Sequence, residues 1–379
     1  MCAHKVSSKQ RIVTVTMRLF FGGLLMSAVM ASAETPDTFR WAGGANGVWN
    51  SSGVWTPVAT ARTAPGIAGD LVAITNGVTI AMTNHFTVSG ISVSVGALSL
   101  STTGVITQTF ESASAAVTNK IYAAAVNVYL GDNPVDNDLT LKIIDKLLFS
   151  GNHGNGYVSI FVRGQLIGGT VETPITFLTE VNNNQYSHFR VHLMNTNNLF
   201  CGDVYIGAAG ATSQGDMNVF LGFGSTKGTD AMLGNTTNRV ILRNKVSSLC
   251  MTGGDSAGLK RRVLGTGSIK GSRVNTGYAN LTDPDPLVLG DGSSLEPSIE
   301  LTNAIGKINV NSSTLTTHTN SQIRINVTAT ASDQVALGTT AAFVHTGKVL
   351  MEPLTNTIAP GTSWNIITVT AASKGFTFS

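Results

Sequence analysis

One short motif keeps returning in this chain: three strand-forming apolar residues followed by glycine. Val128-Tyr129-Leu130-Gly131, Val204-Tyr205-Ile206-Gly207, Val219-Phe220-Leu221-Gly222 and Leu287-Val288-Leu289-Gly290 all have this form. Each reads as a strand too short to be stable alone, stopped by a residue that tolerates the positive φ of a tight corner. Other runs with β-type alternation fill the chain from Leu71 onward, among them VTIAM (78–82), FTVSGISVSVGALSL (86–100), YVSIFV, FRVHLM, QIRINV and WNIITV. Turn-forming clusters such as GDNPVDND, SGNHGNG and GDGSS separate them. The nearest approach to an amphipathic helix, LTLKIIDKLLF from Leu139 to Phe149, is short and has strand-like neighbours on both sides.

Many short strands with dense turns suit two architectures, a β-sandwich or barrel and a β-solenoid that stacks one strand per face per coil. Composition favours the second. Only 12% of the 379 residues are charged, about half the usual share, while Gly reaches 41 residues. Low charge avoids ladders of like sign along a stack of coils. The expected fold is therefore all-β, a right-handed parallel β-solenoid (β-helix) with an N-terminal capping region. At roughly 20–25 residues and about 4.8 Å per coil the stack would reach roughly 65–80 Å. The expected organisation is a signal peptide over 1–33, a Trp-rich cap with the first coils over 34–118, and a solenoid body with terminal coils over 119–379.

The first 33 residues have the parts of a secretory signal: basic residues, an apolar run from Leu19 to Met30, and Ala31-Ser32-Ala33 as a small-x-small cleavage site. That run is shorter than the roughly 20 residues a membrane-spanning helix needs, and no later run is long enough to span a bilayer. The expected location is extracellular or on the outer surface of a bacterium. Lys5, Lys9, Arg11 and Arg18 belong to this segment, which has no Asp or Glu, so the remainder holds 20 basic against 21 acidic residues. The apparent basicity of the whole chain thus gives no ground for specific nucleic-acid binding. Of the three cysteines only Cys201 and Cys250 follow the signal; spacing leaves open whether they form a disulfide or stay as two buried thiols.

The stretch FRWAGGANGVWNSSGVWTP, then PGIAGDLVAITNGVTIAM, resembles the N-terminal module of bacterial secreted β-helix proteins with autotransporter-associated β-strand repeats. The matching residues are Trp41, Gly43, Gly44, Trp49, Trp55, Pro65, Gly66, Gly69 and Asp70. NTNNLFCGDVYIG (195–207), LGTGSIKGSRV (264–274) and the C-terminal stretch from Ala331 are similar to coils of the same family. The resemblance implies a β-helix with display or adhesion-like roles and brings no catalytic residues. Such proteins commonly end in an outer-membrane barrel or a sorting tail; this chain ends at Phe376-Thr377-Phe378-Ser379, which suggests free secretion, another means of attachment, or a passenger portion.

Candidate chemistry was weighed residue by residue. Gly254-Asp255-Ser256-Ala257-Gly258 fits the Gly-x-Ser-x-Gly nucleophile elbow, but no helix pattern follows and only His318 and His345 lie downstream, so a turn between coils is expected. His188 and His192 share a strand face without a third zinc ligand nearby other than Asp203. Asp132, Asp136 and Asp138 lack the loop glycine and closing glutamate of an EF-hand, and Asx turns explain them more simply. Asp283 and Asp285 are the nearest carboxylate pair for a lyase or hydrolase, yet both neighbour prolines. No cofactor or metal is expected. The segment from Arg239 to Arg273 carries eight basic residues against Asp255 alone. Within it Arg261, Arg262, Lys270 and Arg273 are the candidate contact patch for acidic glycans or cell-surface polymers. The expected function is a non-catalytic structural or adhesion-like protein binding by multivalent weak contacts; the alternative is a polysaccharide lyase or hydrolase on the same fold.

Overall fold

The computed structural model describes residues 34–378 apart from 153–155, 172–175, 182–187, 210–216, 254, 272, 275–278, 281–284, 299–303, 339, 341, 356 and 370–375; the expected signal segment, 1–33, lies outside the described residues. Two long sheets form the body. The first has 13 strands in the order Trp55–Pro57, Thr38–Trp41, Leu71–Ile74, Gly90–Val93, Asn119–Ala124, Lys146–Asn152, Thr176–Val181, Val204–Ile206, Val240–Leu242, Arg262–Gly265, Ser294–Glu296, Gln322–Val327 and Lys348–Pro353. The second has 12, running from Asn46–Val48 through Val128–Leu130, Tyr157–Val162, His188–Leu193, Met217–Leu221 and Ser247–Met251 to Ile367–Val369. Pairing is parallel throughout these two sheets except between Trp55–Pro57 and Thr38–Trp41. Sequence neighbours therefore lie in different sheets, and each strand pairs with one a full coil away, which makes the fold a parallel β-solenoid.

Two shorter parallel sheets of four strands give the coils a third side. One spans Phe86–Val88, Ile106–Phe110, Leu139–Ile143 and Gln165–Ile167; the other spans Leu287–Leu289, Thr314–Thr317, Ala342–His345 and Phe376–Phe378. Between them the third side includes a single 3-10 turn at Asp230–Leu233, the only helical element among the described residues. No helix there is long and apolar enough to cross a membrane.

Alternation along each strand decides which side chains enter the core. On the second sheet Val78, Leu98, Val128, Ile160, Val191, Val219, Leu249, Ile269, Val310 and Leu337 occupy successive register positions, and all are buried. Coils are longer and more uneven than expected. Leu71 pairs with Gly90, 19 residues on, whereas Ser268 pairs with Asn309, 41 residues on, because a hairpin of Arg273–Val274 and Ala279–Asn280 is inserted between them. Twelve strands at about 4.8 Å make a stack of roughly 53 Å, shorter than the sequence estimate for this reason.

The corners follow local chemistry. Gly131, Gly207 and Gly222 close their Val-x-Leu-type strands at φ of 107°, 89° and 82°, as the recurring motif requires. Leu139–Phe149 is not helical: strands Leu139–Ile143 and Lys146–Asn152 belong to different sheets, and Asp145 turns between them at φ 63°. At the N-terminal end Trp41, Trp49 and Trp55 are buried together. Trp55 lies edge-on to both others at 4.9 Å, Trp49 stacks on Phe86 at 3.9 Å, and the Trp55 indole donates to the Trp49 carbonyl at 2.6 Å. A Cβ on Gly43 or Gly47 would come within 2.6 Å of the Trp41 ring, which is the reason this segment needs glycine there. Asp70 secures the turn beneath, accepting from the amides of Asp37, Gly66 and Ile67 and from Arg62.

Candidate functional site

The basic segment was the sharpest sequence signal, and the structure divides it. Arg261 is 2% exposed. Its Nε and Nη2 donate to the two carboxylate oxygens of Asp230 at 2.8 and 2.7 Å, and Nη1 donates to the carbonyls of Leu233 and Asn235 at 3.1 Å each. It staples the 3-10 turn and is not a surface contact, so its place in the candidate patch is corrected. Arg262 turns outward but grips Glu296 through two 2.7 Å hydrogen bonds. Lys270 belongs to the other long sheet, half-buried between Cys250 and Asn311 in register. Arg273 lies on the inserted hairpin, and its side chain is outside the described residues. These four do not form one basic stripe.

The outer face of the first sheet carries a line of ion pairs instead. Asp203 pairs with Arg239, with Nη2 to Oδ2 at 2.5 Å; Glu296 pairs with Arg262; and Glu352 pairs with Arg324. Each partner lies one coil away, 28 to 36 residues distant in sequence. The carboxylate of Asp203 raises Arg239 above the ordinary guanidinium value, and that of Glu296 does the same for Arg262. Burial works to raise the Glu296 carboxyl, but Arg262 and the Ser294 hydroxyl outweigh it and hold it below the usual carboxylate range. Three positive and three negative charges leave the line neutral.

Other carboxylates are occupied by the backbone. Asp136 accepts from the amides of Asp132, Asp138 and Leu139 at 2.9 to 3.0 Å and from the Thr102 hydroxyl, so it locks the turn at Asp132–Asp138. Asp285 accepts from the Gly253 amide at 2.8 Å; Asp283 lies outside the described residues. At the Gly-x-Ser-x-Gly match, Gly254 is likewise outside them. Asp255 there accepts from the amides of Ala257 and, through its carbonyl, Gly258, which is a turn with no helix after it. Asp333 accepts from Gly306 and Asn326 at 2.7 and 2.8 Å, and burial nevertheless raises its carboxyl. No group of three or more His, Cys, Asp or Glu able to hold a metal occurs among the described residues.

Cys201 and Cys250 are both free and buried, which corrects the disulfide option. Cys250 sits on the second sheet beside Phe220, whereas Cys201 precedes strand Val204–Ile206 of the first.

Sequence reasoning missed a ring ladder on the outer face of the second sheet. Tyr129, Phe161, His192 and Phe220 occupy successive register positions and stack at 4.8, 4.5 and 4.8 Å. The signal was present as an aromatic or imidazole ring recurring at coil spacing, but it shows only once the register is known. Phe223 folds over the middle of the ladder, edge-on to Phe161 and His192 at 5.0 Å. Imidazole His192 is fully buried, and neither ring nitrogen finds a hydrogen-bond partner of ordinary geometry among the described residues. Burial first and the Arg190 charge second push its pKa down to about 3.

Fold and site together define a parallel β-solenoid whose polar side chains are spent largely on turns and coil-to-coil pairs. In comparison with known proteins the chain matches no family model, no curated protein and no solved structure.

Proposed function

We propose that this chain is a non-catalytic, exported structural or adhesion-like protein, a right-handed β-helix of the kind its Trp-rich N-terminal stretch resembles, which binds extracellular or cell-surface polymers through weak contacts repeated along its coils. The observation that carries the reading is the use of its acidic side chains. Asp37, Asp70, Asp136 and Asp333 accept backbone amides, and Asp203, Asp230, Glu296 and Glu352 pair with arginine. An acid–base pair for glycoside chemistry needs carboxyl groups facing a shared substrate space, and groups committed in this way serve the scaffold.

The test has two arms. Incubation with acidic and neutral polysaccharides should release no unsaturated or reducing ends, while pull-down with the same insoluble polymers should retain the protein; release of new ends would make it a lyase or hydrolase. Fractionation of the native host with intact-mass analysis tests export. A species starting at Glu34 in the medium or at the outer surface is expected, and an uncleaved species retained in the cytosol would sink that part of the reading.

A further inference from the structure

The ring ladder ends in an open trough. Tyr129 stacks one face on Phe161, and on its other side the register continues to Ser99 and then Thr79, side chains too small to prolong the stack. The result is a shallow groove of about 600 Å³ on the outer face of the second sheet. Ala45, Gly77, Thr79, Ala97 and Ser99 line it, with Tyr129 at one end.

Arg163 and Asn133 supply polarity at that same end. The Arg163 guanidinium lies 4.7 Å from the centre of the Tyr129 ring, and its hydrogen bond to the Gly131 carbonyl is long, 3.4 Å. Unlike Arg239, Arg261, Arg262 and Arg324 it has no carboxylate partner within ion-pair distance among the described residues, and its buried Nε has no acceptor. Partly buried guanidinium groups without an anion are unusual, since desolvation disfavours the charge. In a chain that pairs its other outer-face arginines coil to coil, this one is available to an anion from outside.

We infer that the trough is a subsite for an acidic polysaccharide, with a uronate ring laid against the free side of Tyr129 and its carboxylate bound by Arg163. The inference rests on the polymer-binding reading above and narrows it to a ligand class and a place. An aromatic ring offers a flat apolar face for the C–H face of a pyranose, and guanidinium–carboxylate pairs are short and oriented. The small floor side chains leave room along the direction of coil stacking. The coil repeat of about 4.8 Å is close to the length one pyranose adds to an extended chain, so a polymer lying along the groove meets one coil per sugar.

The experiment measures binding of the full chain to immobilised polygalacturonate and to a neutral glucan, for wild type and for Arg163→Gln, Tyr129→Ala and Thr79→Trp. Thr79 is exposed on the trough floor, so Thr79→Trp fills the groove without disturbing the core or Arg163. Melting temperatures confirm that the variants fold. The expected result is preference for polygalacturonate, weakened by added salt, and an affinity loss of about tenfold or more in each variant. If wild type binds polygalacturonate and all three variants bind equally well, the trough assignment falls while the polymer-binding reading stands. Equal binding to the neutral glucan overturns the acidic class. If wild type binds neither polymer, the subsite is overturned; retention on other polymers in the broader pull-down would then keep the general reading alive, and its absence would end both.

Discussion

Arg261 and Asp230 show how much of this protein's charge is internal. The guanidinium is fully enclosed, and its hydrogen bonds to carboxylate and carbonyl oxygens replace the water it has lost. Removing one member strands the other as a buried charge, so Arg261→Ala should destabilise by about 3–5 kcal/mol, read as a lower urea midpoint. A loss below about 1 kcal/mol would mean that the turn does not depend on this pair. His192 gives the opposite prediction, because it is held neutral between Phe161 and Phe220. Its folded pKa, about 3, lies below the ordinary 6.5. The unfolded chain therefore binds the proton first as pH falls. The contribution of this residue is fully present above about pH 6.5 and is lost progressively below it, by up to about 1.4 kcal/mol per pH unit, until the folded pKa is reached. His192→Phe keeps the stack and removes the titration. The variant's advantage over wild type should grow between pH 6.5 and 4.5, and taking the difference cancels the titration of the other groups. A gap that stays constant with pH would mean that the imidazole is protonated in place.

Elements in this chain were readable where the rule is local and obscure where it is not. Short runs such as Val128–Leu130 and Val204–Ile206 announced themselves as strands because alternation and a terminal glycine are properties of adjacent residues. Leu139–Phe149 was ambiguous, since eleven largely apolar residues fit a helix as well as two strands; Asp145 at positive φ settles it as a corner. The candidate patch misled for a related reason. Arg239, Arg261 and Arg262 look unopposed over their own stretch of sequence, but their partners Asp203, Asp230 and Glu296 are 31 to 36 residues away, one coil above or below. Tyr129 and Arg163 passed unnoticed for the same cause. The Trp-rich opening was the most legible element, and its glycines have a steric role: Gly47→Ala would push a methyl group into the Trp41 ring. This substitution should lower stability by about 1–3 kcal/mol, as overpacking does, and restoring Gly47 in a Trp41→Phe background should prove less important than in wild type. Equal effects in both backgrounds would place the constraint elsewhere.

At the scale of the whole solenoid, each coil touches only the coils next to it, so stability is close to a sum of coil and neighbour-interface contributions and damage should stay near its origin. The Trp cluster joins the first coils through Trp49 stacked on Phe86, and the apolar ladder from Val78 to Leu337 is continuous across the described coils beyond it. Trp49→Ala removes a ring that is 1% exposed, a change worth about 3–5 kcal/mol where a core cannot collapse around the gap. In a two-state globule that loss would lower amide protection everywhere at once. Here hydrogen exchange should accelerate in the strands from Thr38 to about Phe110, while Leu287–Leu289, Thr314–Thr317 and Gln322–Val327 keep wild-type protection. The line of ion pairs on the first sheet sets how far the opening spreads, since Asp203–Arg239, Arg262–Glu296 and Arg324–Glu352 each tie one coil to another in the second half of the stack. Added salt screens these partly exposed pairs, so in Trp49→Ala at high ionic strength the boundary of fast exchange should move toward the C-terminal coils. Uniform loss of protection along the chain would show instead that the coils unfold as one unit and that the neighbour-only description fails.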